Sequence, residues 1–556
     1  MILGLDVGGT QTDAVLIEKN AIVAATKTPT GDDLLETLRA ALDKILAGCG
    51  PEQIERMSFS TTLATNAIVQ DRLDPTGMIV SAGPGMDPEW FSVGPSYHVV
   101  SGCLDHQGFE AQPLDEASVK DAAARIHGDG IDTLGVVGKF SVRNPAHEQQ
   151  MAEWIGDRFS HVALGHRTSG TLNFPRRIVT TYLNAALFHT HQRFSGALTQ
   201  ILDEKDLSPA RFLLKPDGGT VGLNKSVHFP ARTAQSGPAA SVMGALALDG
   251  CPGTTLVLDI GGTTTDMAVV PDGVPLRAPY GIRLGPFRTL IRSLLTRSVG
   301  IGGDSEVHMN SEGRLGIGPL RQGPPKAFGG PAPTPTDAMI ALGLLEAGDR
   351  KAARDAMEAL GASKGRDAAA TSEHVLTLMS ETIASSAGAF LHYINSRPVY
   401  TIHEALREEK VVPASAVIIG GPASHLKTYI SKALGLPCRV PPHFEVANAA
   451  GAGLARVTAE LTLQADTERG SVVIPEAGIE DRIGRRFNME EALTLLEDRL
   501  REQAAETGAD PGTLEMTLTE KQVFTMIRGY STTGQNIRLK MCVAPGLIPQ
   551  WKGGEP

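Results

Sequence analysis

Short apolar runs alternate along the first half of the chain with segments whose apolar residues recur at helical spacing. Residues 1 to 5 and, much later, 254 to 258 are compact apolar runs that predict buried strands. Residues 32 to 46, 114 to 126 and 146 to 155 carry apolar positions three and four residues apart, which predicts helices. This alternation indicates an α/β fold.

The later pattern predicts further parts. A helical pattern over residues 172 to 202 leads into a second half that begins with the apolar run at 254. Near the end, β-type runs at 471 to 474 and 522 to 528 surround a predicted helix at 489 to 507, which indicates a small α+β unit. We expect four parts: residues 1–170, a first half with an inserted segment; 171–252, a connecting helical and β region; 253–458, a second half; and 459–556, a C-terminal α+β module.

One segment of eight residues occurs twice. Asp6-Val-Gly-Gly-Thr-Gln-Thr-Asp13 recurs as Asp259-Ile-Gly-Gly-Thr-Thr-Thr-Asp266, and only the second and sixth positions differ. Each copy follows an apolar run and precedes a second β-type run and a polar turn, so each unit should be strand, glycine turn, strand, turn and strand. A dinucleotide-binding fold would place a helix after its glycine loop, and a Walker A sequence is absent.

The atoms of these loops suit a phosphate group. Paired glycines let the backbone approach a ligand with no Cβ in the way, and threonine hydroxyls add hydrogen-bond donors. The flanking carboxylates would repel phosphate unless a cation lies between them, which implies Mg²⁺, held by Asp6 and Asp259. The candidate nucleotide-binding residues in the loops are Gly8, Gly9, Thr10, Thr12, Gly261, Gly262, Thr263, Thr264 and Thr265.

Asp13 and Asp266 close the two loops at matching positions and are the candidate catalytic residues. Because in-line phosphoryl transfer has one attacking side, we expect only one of them to orient the attacking oxygen. The three consecutive threonines before Asp266 favour that residue, and the other carboxylate would fix its own loop. The alternative, that both loops are structural β-hairpins capped by Thr and Asp, stays open.

Several segments give a resemblance to a known family. Paired strand-loop-strand phosphate motifs resemble those of actin, the heat-shock chaperones and the sugar kinases. The loop at residues 6–13, with Gln11 in place of Phe, and the segment Ser60-Thr-Thr-Leu-Ala-Thr-Asn-Ala67, with Ser60 in place of Gly, are similar to the hydantoinase A and 5-oxoprolinase family. Residues 235–240 and Gly420-Gly421-Pro422 also fit, and the resemblance covers roughly residues 1 to 455.

The resemblance implies two actin-like, ribonuclease H-like ATPase halves around a nucleotide cleft, with Gly420 and Gly421 against the adenosine of ATP. It also implies a separate B-type hydantoinase subunit for the hydrolytic step. Two departures concern the second half. Asp304 stands where the family usually has a third glycine, and the Pro-rich residues 322–335 lack the family's Pro-Ala-Cys-Tyr sequence.

Three functions remain open at this point. The first is an ATP-dependent hydrolase subunit of the hydantoinase or oxoprolinase type, which activates a small cyclic amide or carbonyl substrate by phosphoryl transfer. The second is a stand-alone metabolite kinase or ATP-dependent ligase. The third is a nucleotide-driven chaperone or reactivating factor, in which ATP turnover moves domains and no metabolite is altered.

Composition narrows the class of partner. A formal net charge of -11 argues against nucleic acid, because such binding depends on Lys and Arg neutralising phosphates. The apolar runs are too short to span a membrane, and the N-terminus lacks the pattern of a secretory signal. The five cysteines show no zinc or redox spacing. We therefore expect a cytoplasmic, oligomeric protein that acts on a small molecule, with no membrane or nucleic-acid partner.

Overall fold

Sheets of four to six strands organise the chain. The computed structural model describes residues 1–31, 33–310, 313–396, 410–549 and 551. The described strands of the first part are β1 Ile2–Val7, β2 Gln11–Glu18, β3 Ala21–Pro29, β4 Arg56–Thr61, β5 Thr76–Ser81, β6 Ser96–Val99, β7 Cys103–Leu104, β8 Glu110–Gln112, β9 Thr133–Gly138, β10 His161–Leu164, β11 Ala210–Leu214 and β12 Thr220–Gly222.

The remaining described strands are β13 Thr254–Ile260, β14 Thr265–Pro271, β15 Arg283–Leu284, β16 Phe287–Arg288, β17 Thr296–Val299, β18 Val307–Met309, β19 Leu315–Ile317, β20 Ser415–Ile419, β21 Cys438–Arg439, β22 Glu460–Asp466, β23 Ser471–Ile474, β24 Ile479–Arg482, β25 Met516–Arg528 and β26 Ser531–Val543.

The described α-helices are α1 Leu34–Ile45, α2 Leu63–Val69, α3 Glu116–Gly128, α4 Ala146–Ile155, α5 Gly165–Thr168, α6 Phe174–Ala186, α7 Phe188–Glu204, α8 Leu223–Ser226, α9 Ser236–Asp249, α10 Pro335–Leu342, α11 Arg350–Gly361, α12 Ala368–Asn395, α13 Ala423–Leu434, α14 Ala447–Leu454 and α15 Met489–Glu506. None of them is both long enough and apolar enough to cross a bilayer.

Two sheets repeat one strand pattern. The first has the order β12-β11-β4-β1-β2-β3, and the second has the order β17-β14-β13-β20-β21. In each, three antiparallel strands are joined through the first of them to parallel strands, β4 and β11 in one sheet and β20 and β21 in the other. The predicted fold of two actin-like α/β halves is confirmed.

The register of the two glycine hairpins is the same. Asp6 lies opposite Asp13 across β1 and β2, and Asp259 lies opposite Asp266 across β13 and β14. Because neighbouring residues along a strand point to opposite faces, this matched register gives the four carboxylates equivalent places in the two halves.

The third strand of the second half is a correction to the sequence prediction. In the first half β3 follows β2 directly, as expected, but the strand that pairs with β14 is β17, which begins only at Thr296. The chain between them reaches α6 of the first part, where the backbone N–H of Leu290 donates to Thr180 Oγ1 at 2.9 Å. A long segment that contacts α6 therefore takes the place of the short turn that was expected between β14 and the third strand.

Most of the predicted helices are present, with one division. The predicted helix at 172 to 202 is two helices, α6 and α7, on either side of Leu187. The helix predicted over 32 to 46 begins at Leu34, because the side chain of Asp33 accepts the backbone N–H groups of Leu35 and Glu36. Asp32 itself lies outside the described residues.

Two further large sheets lie in the inserted segment and at the C-terminal end, and the described two-stranded sheets are β7-β8, β15-β16 and β18-β19. An all-parallel sheet, β10-β9-β5-β6, is formed by the segment inserted into the first half. At the C-terminal end α15 packs on the sheet β24-β23-β22-β26-β25, with Leu496 and Leu500 buried against Leu461 and Leu463. The predicted α+β character of this end is confirmed, whereas the four-part division at residues 170, 252 and 458 stays a prediction.

Close backbone packing joins the two halves at α9 and α14. A Cβ on Gly244 of α9 would lie 2.1 Å from the carbonyl oxygen of Ala447, and one on Gly4 of β1 would lie 2.1 Å from that of Ala449. Only glycine permits such contacts. They bring the first turn of α14, which carries Asn448, between the two glycine hairpins.

Candidate functional site: a cleft between two glycine hairpins

A cavity of about 1040 Å³ lies between the two halves. Both glycine hairpins and the loop after β20 line it, together with residues from α9, α14 and the Pro-rich segment. The predicted site residues that line the cavity are Asp6, Gly8, Gly9, Thr10, Asp13, Asp259, Gly261, Gly262, Thr263, Thr264, Asp266, Gly420 and Gly421.

The two hairpins turn in the same way. The backbone N–H of Gly8 donates to the carbonyl oxygen of Gln11 at 3.0 Å, and that of Gly261 donates to Thr264 at 2.9 Å. A Cβ on Gly9 would meet nothing within 4 Å, so the backbone here is open to a ligand. Gly9 therefore leaves room for an anion at the first hairpin tip, whereas a Cβ on the equivalent Gly262 would lie 2.8 Å from Asp304 Oδ2.

Thr12 and Thr265 are the exceptions among the predicted nucleotide-binding residues. Both are fully buried, and neither lines the cavity. The hydroxyl of Thr12 lies 3.0 Å from that of Thr30, and the hydroxyl of Thr265 donates to the carbonyl oxygen of Ile301 at 2.7 Å. Each threonine lies one residue beyond the turn, so its side chain points to the buried face of the sheet and away from the cavity. The prediction that these two hydroxyls bind nucleotide is therefore corrected.

Asp6 and Asp259 face each other across the cleft with an amide between them. The side-chain amide of Asn448 donates to Asp259 Oδ2 at 3.1 Å, and it acts to lower the pKa of Asp6. Ser241 Oγ donates to Asp259 Oδ2 at 2.6 Å. Burial, with the charges of Asp13 and Asp259 added, raises the pKa of Asp6 to about 7. The hydrogen-bond donors of the cleft therefore do not fully offset the negative charge of its carboxylates.

Asp13 and Asp266 have different neighbours. Lys27 Nζ lies 2.7 Å and 2.9 Å from the two carboxylate oxygens of Asp13 and also donates to the carbonyl oxygen of Glu445 at 2.6 Å. Burial raises the pKa of Asp13, and Lys27 opposes that rise. Burial and the charge of Asp259 raise the pKa of Asp266 to about 6, opposed by a hydrogen bond from Ser298.

The acidic residues fit a cation whose coordination is completed by other groups. Among the residues that the structure describes, no three His, Cys, Asp or Glu side chains are placed to hold a metal by themselves. Mg²⁺ usually takes one or two carboxylates and fills its remaining positions with water and phosphate oxygens. The crowded carboxylates of Asp6, which is buried, and Asp259, which is half-buried, are compatible with that mode of binding.

A third loop lies at the edge of the same cavity. Gly420 ends β20 with a φ of 91°, and a Cβ there would lie 2.4 Å from the carbonyl oxygen of Ile260 and 2.6 Å from Asp259 Oδ1. A side chain at this position would therefore push against the metal-binding candidate itself. Gly420 and Gly421 are brought to the cleft as predicted, while their contact with adenosine stays a prediction.

Comparisons with known proteins agree with this architecture. Residues 2–159 match the Hydantoinase/oxoprolinase N-terminal region, and residues 177–461 match Hydantoinase/oxoprolinase. The chain is 27% identical over 393 residues to the acetophenone carboxylase gamma subunit of Aromatoleum aromaticum, an alignment covering 62% of this chain and 53% of that protein. It is 26% identical over 437 residues to the caprolactamase subunit alpha of Pseudomonas jessenii, covering 69% and 62%. The chain thus spans only part of the length of these relatives.

Two solved structures share the fold. A nucleotide-free acetone carboxylase structure superposes with a TM-score of 0.70 at 17% identity, covering 99% of this chain and 88% of that one. An ATP-dependent caprolactamase from Pseudomonas jessenii superposes with a TM-score of 0.71 at 19% identity and the same coverage. Since the second family match alone spans more than half of the sequence, the chain belongs to the hydantoinase/oxoprolinase family.

Proposed function

We propose that this chain is an ATP-dependent enzyme subunit that activates a small cyclic amide or carbonyl substrate by phosphoryl transfer. The observation that carries the proposal is the pair of identically built glycine hairpins, which face one cavity and bring Asp6, Asp13, Asp259 and Asp266 to it. Two hairpins that share one cavity suit a single phosphate chain gripped from both sides.

The proposed reaction moves the γ-phosphoryl group of ATP to the carbonyl oxygen of the substrate. The bond from the γ-phosphorus to the bridging oxygen breaks, a new P–O bond forms, and ADP leaves. With a cyclic amide, water then adds to the activated carbon and the ring C–N bond breaks, its electron pair taking up a proton on nitrogen, and hydrolysis of the resulting acyl phosphate releases inorganic phosphate. With a ketone, the α-proton is lost as the new P–O bond forms, which gives an enol phosphate.

The residues of the cleft have separate roles in this proposal. In the loops Gly8–Thr10 and Gly261–Thr263, the backbone N–H groups that follow the first glycine would bind phosphate oxygens, since those of Gly8 and Gly261 close the turns. Asp6 and Asp259 would hold Mg²⁺, which neutralises phosphate charge when bound. Asp266 would orient the attacking carbonyl oxygen by accepting a hydrogen bond or a proton from the N–H or α-C–H group beside the carbonyl. A pKa of about 6 leaves this carboxylate mostly ionised at neutral pH and able to accept a hydrogen bond or a proton.

The relatives support the substrate class in general terms. One relative is a caprolactamase subunit and another an acetophenone carboxylase subunit. Caprolactam is a cyclic amide and acetophenone is a ketone, so both names point to a carbonyl oxygen as the group to be activated. Both relatives are also named as subunits, which supports the proposal that a B-type partner polypeptide completes the active enzyme.

Phosphate release provides the test. Purified chain would be assayed with Mg-ATP and a panel of lactams, hydantoins, 5-oxoproline, ketones, sugars and polyols, with and without a co-expressed B-type subunit. We expect lactams or ketones to stimulate ATP turnover, and Asp266→Ala to abolish that stimulation while the protein stays folded. Stimulation by sugars or polyols alone would favour a stand-alone kinase, and turnover indifferent to every small molecule would contradict substrate activation.

A further inference from the structure

Arg321 spans the gap between the two glycine hairpins. It lies between β19 and the Pro-rich segment, and its Nη1 lies 3.0 Å from the hydroxyl oxygen of Thr10 and 3.4 Å from that of Thr263. These threonines hold the same position in the two repeats, one at the tip of each hairpin. One guanidinium group therefore contacts both halves of the cleft at the place where they approach each other.

Asp304 fixes the position of this guanidinium. Asp304 Oδ2 lies 2.9 Å from Arg321 Nη2, while Thr336 donates to Asp304 Oδ1 at 3.1 Å. The backbone N–H of Asp304 donates to the carbonyl oxygen of Gly262 at 2.7 Å, which ties it to the second hairpin. Arg321 Nε donates to Gly323 at 3.4 Å. The arginine is thus anchored to the second half and extends to the first.

The basic side chains that line the cavity differ in what they already bind. Within the described part of the chain, the basic side chains that line the cavity are Lys27, Arg321 and His425. Lys27 is already occupied by both carboxylate oxygens of Asp13 and by a carbonyl oxygen. Arg321 also pairs with a carboxylate, that of Asp304, but its Nη1 donates to two hydroxyl groups, and a hydroxyl can accept from an arginine while it donates to an anion.

A planar guanidinium suits a phosphate group. It presents several N–H donors in a fixed fork that matches phosphate oxygens, and charge-assisted hydrogen bonds of this kind are stronger than neutral ones. Its hydrogen bonds in the described residues go to the hairpin tips, Asp304 and Gly323, and none goes to the Gly420-Gly421 loop at the other edge of the cavity. An anion between the tips would therefore meet Arg321.

We propose that Arg321 binds the terminal phosphate of the nucleotide and that Asp304 is the positioning residue that holds it there. This inference rests on the proposed function, since it needs ATP in the cleft. It adds to that function a means of distinguishing the triphosphate from the diphosphate. ADP lacks the group that lies between the hairpin tips, so its binding depends less on this arginine.

Calorimetric titration of the full chain with Mg-ATP and with Mg-ADP tests the inference. We expect Arg321→Gln to weaken ATP binding by about 10- to 100-fold, as for loss of a charge-assisted contact, and ADP binding by less than about 3-fold. Arg321→Lys keeps the charge and loses the fork, so it should lie between wild type and Arg321→Gln. Asp304→Asn should lower the ATP-to-ADP preference in the same direction with an unchanged melting temperature.

Arg288→Gln is the matched control, because this arginine of β16 is exposed and lies outside the cavity. It should titrate like wild type. If wild type binds ATP but Arg321→Gln keeps its ATP-to-ADP preference, or loses both nucleotides equally, the role of Arg321 is wrong and the proposed function stands. If wild type binds neither nucleotide, the proposed function and this inference are both wrong.

Discussion

The two glycine hairpins have almost the same sequence and the same strand register, yet the strand beside each of them differs. In the first half the residue opposite Asp13 on the neighbouring strand is Lys27, and in the second half the residue opposite Asp266 is Ser298. One closing aspartate is therefore paired with a cation and the other with a hydroxyl. The repeat is symmetric in the loops, and the asymmetry comes from the third strand.

This difference has a clear origin in the chain. β3 follows its hairpin after a short turn, whereas β17 comes after a segment that first reaches α6. The second half therefore draws its third strand from a different stretch of sequence and places no lysine there. A symmetric pair of phosphate loops acquires two distinct carboxylates in this way, which supports the proposed assignment of Asp266 to catalysis and of Asp13 to loop structure.

The largest loss of activity should follow from changes at Asp6 and Asp259, which occupy the same position in the two halves. Asp6→Asn and Asp259→Asn each remove one charge from the proposed cation site, and we expect each to lower kcat by an amount equivalent to about 2–4 kcal/mol of transition-state stabilisation. Phosphate release at saturating Mg-ATP measures this, with thermal melting as the control for folding. Two folded variants with wild-type kcat would show that these carboxylates do not hold the metal.

Changes at the two closing aspartates, Asp13 and Asp266, should have different effects on activity and stability. We expect Asp266→Ala to lower kcat by about 100-fold or more, in the range of a lost general base, with little change in melting temperature. Asp13→Ala should lower the melting temperature, because Lys27 loses its carboxylate partner, and should lower kcat by less than about 10-fold.

Parallel measurement of kcat and melting temperature on both variants decides between the assignments. Equal losses of kcat at equal melting temperatures would show that the two aspartates do not have different roles. The reverse ranking, with Asp13→Ala the slower enzyme, would move the catalytic role to Asp13.

A more moderate effect should follow when the second half is made to imitate the first. Ser298→Lys places a lysine opposite Asp266 at the register position that Lys27 occupies opposite Asp13. If the uncompensated carboxylate matters, the new cation should lower kcat by about 10-fold, because a paired carboxylate is a weaker base. Ser298→Ala is the control and should change kcat far less. Equal activity of the lysine variant and wild type would contradict this reason for the asymmetry.

The smallest effect should come from removing the cation of the first half. Lys27→Met leaves Asp13 unpaired, but the lysine side chain is 41% exposed and the pair is partly solvated. We expect a loss of stability of about 0–1 kcal/mol and a kcat within about 3-fold of wild type. Lys19→Met, at an exposed turn, is the comparison variant. A rate loss as large as that of Asp266→Ala would mean that Lys27 itself contacts the nucleotide.

The sequence predicted the parts of the cleft that are local. The glycine hairpins and the strands on either side follow from short patterns, because a repeated turn between apolar runs specifies its own geometry. The arrival of Gly420 at the cavity was expected from the family resemblance. The C-terminal strand at Ser471–Ile474 and the helix Ala146–Ile155 were predicted for the same reason.

Contacts between distant segments could not be predicted in this way. Asn448 lies 189 residues from the Asp259 that it binds, and Arg321 lies 311 residues from Thr10. Nothing in the local pattern around Arg321 indicates a ligand, since the Pro-rich segment has no period of its own. The inward direction of Thr12 and Thr265 was missed because the end of each turn, which decides the face, is not fixed by composition.

Calorimetric titration with Mg-ATP shows whether the two glycine hairpins share one nucleotide. We expect a single class of site with a stoichiometry of one nucleotide per chain, lost when magnesium is removed with a chelator and weakened in both Asp6→Asn and Asp259→Asn. Two independent saturable sites per chain, or no binding at any magnesium concentration, would contradict it.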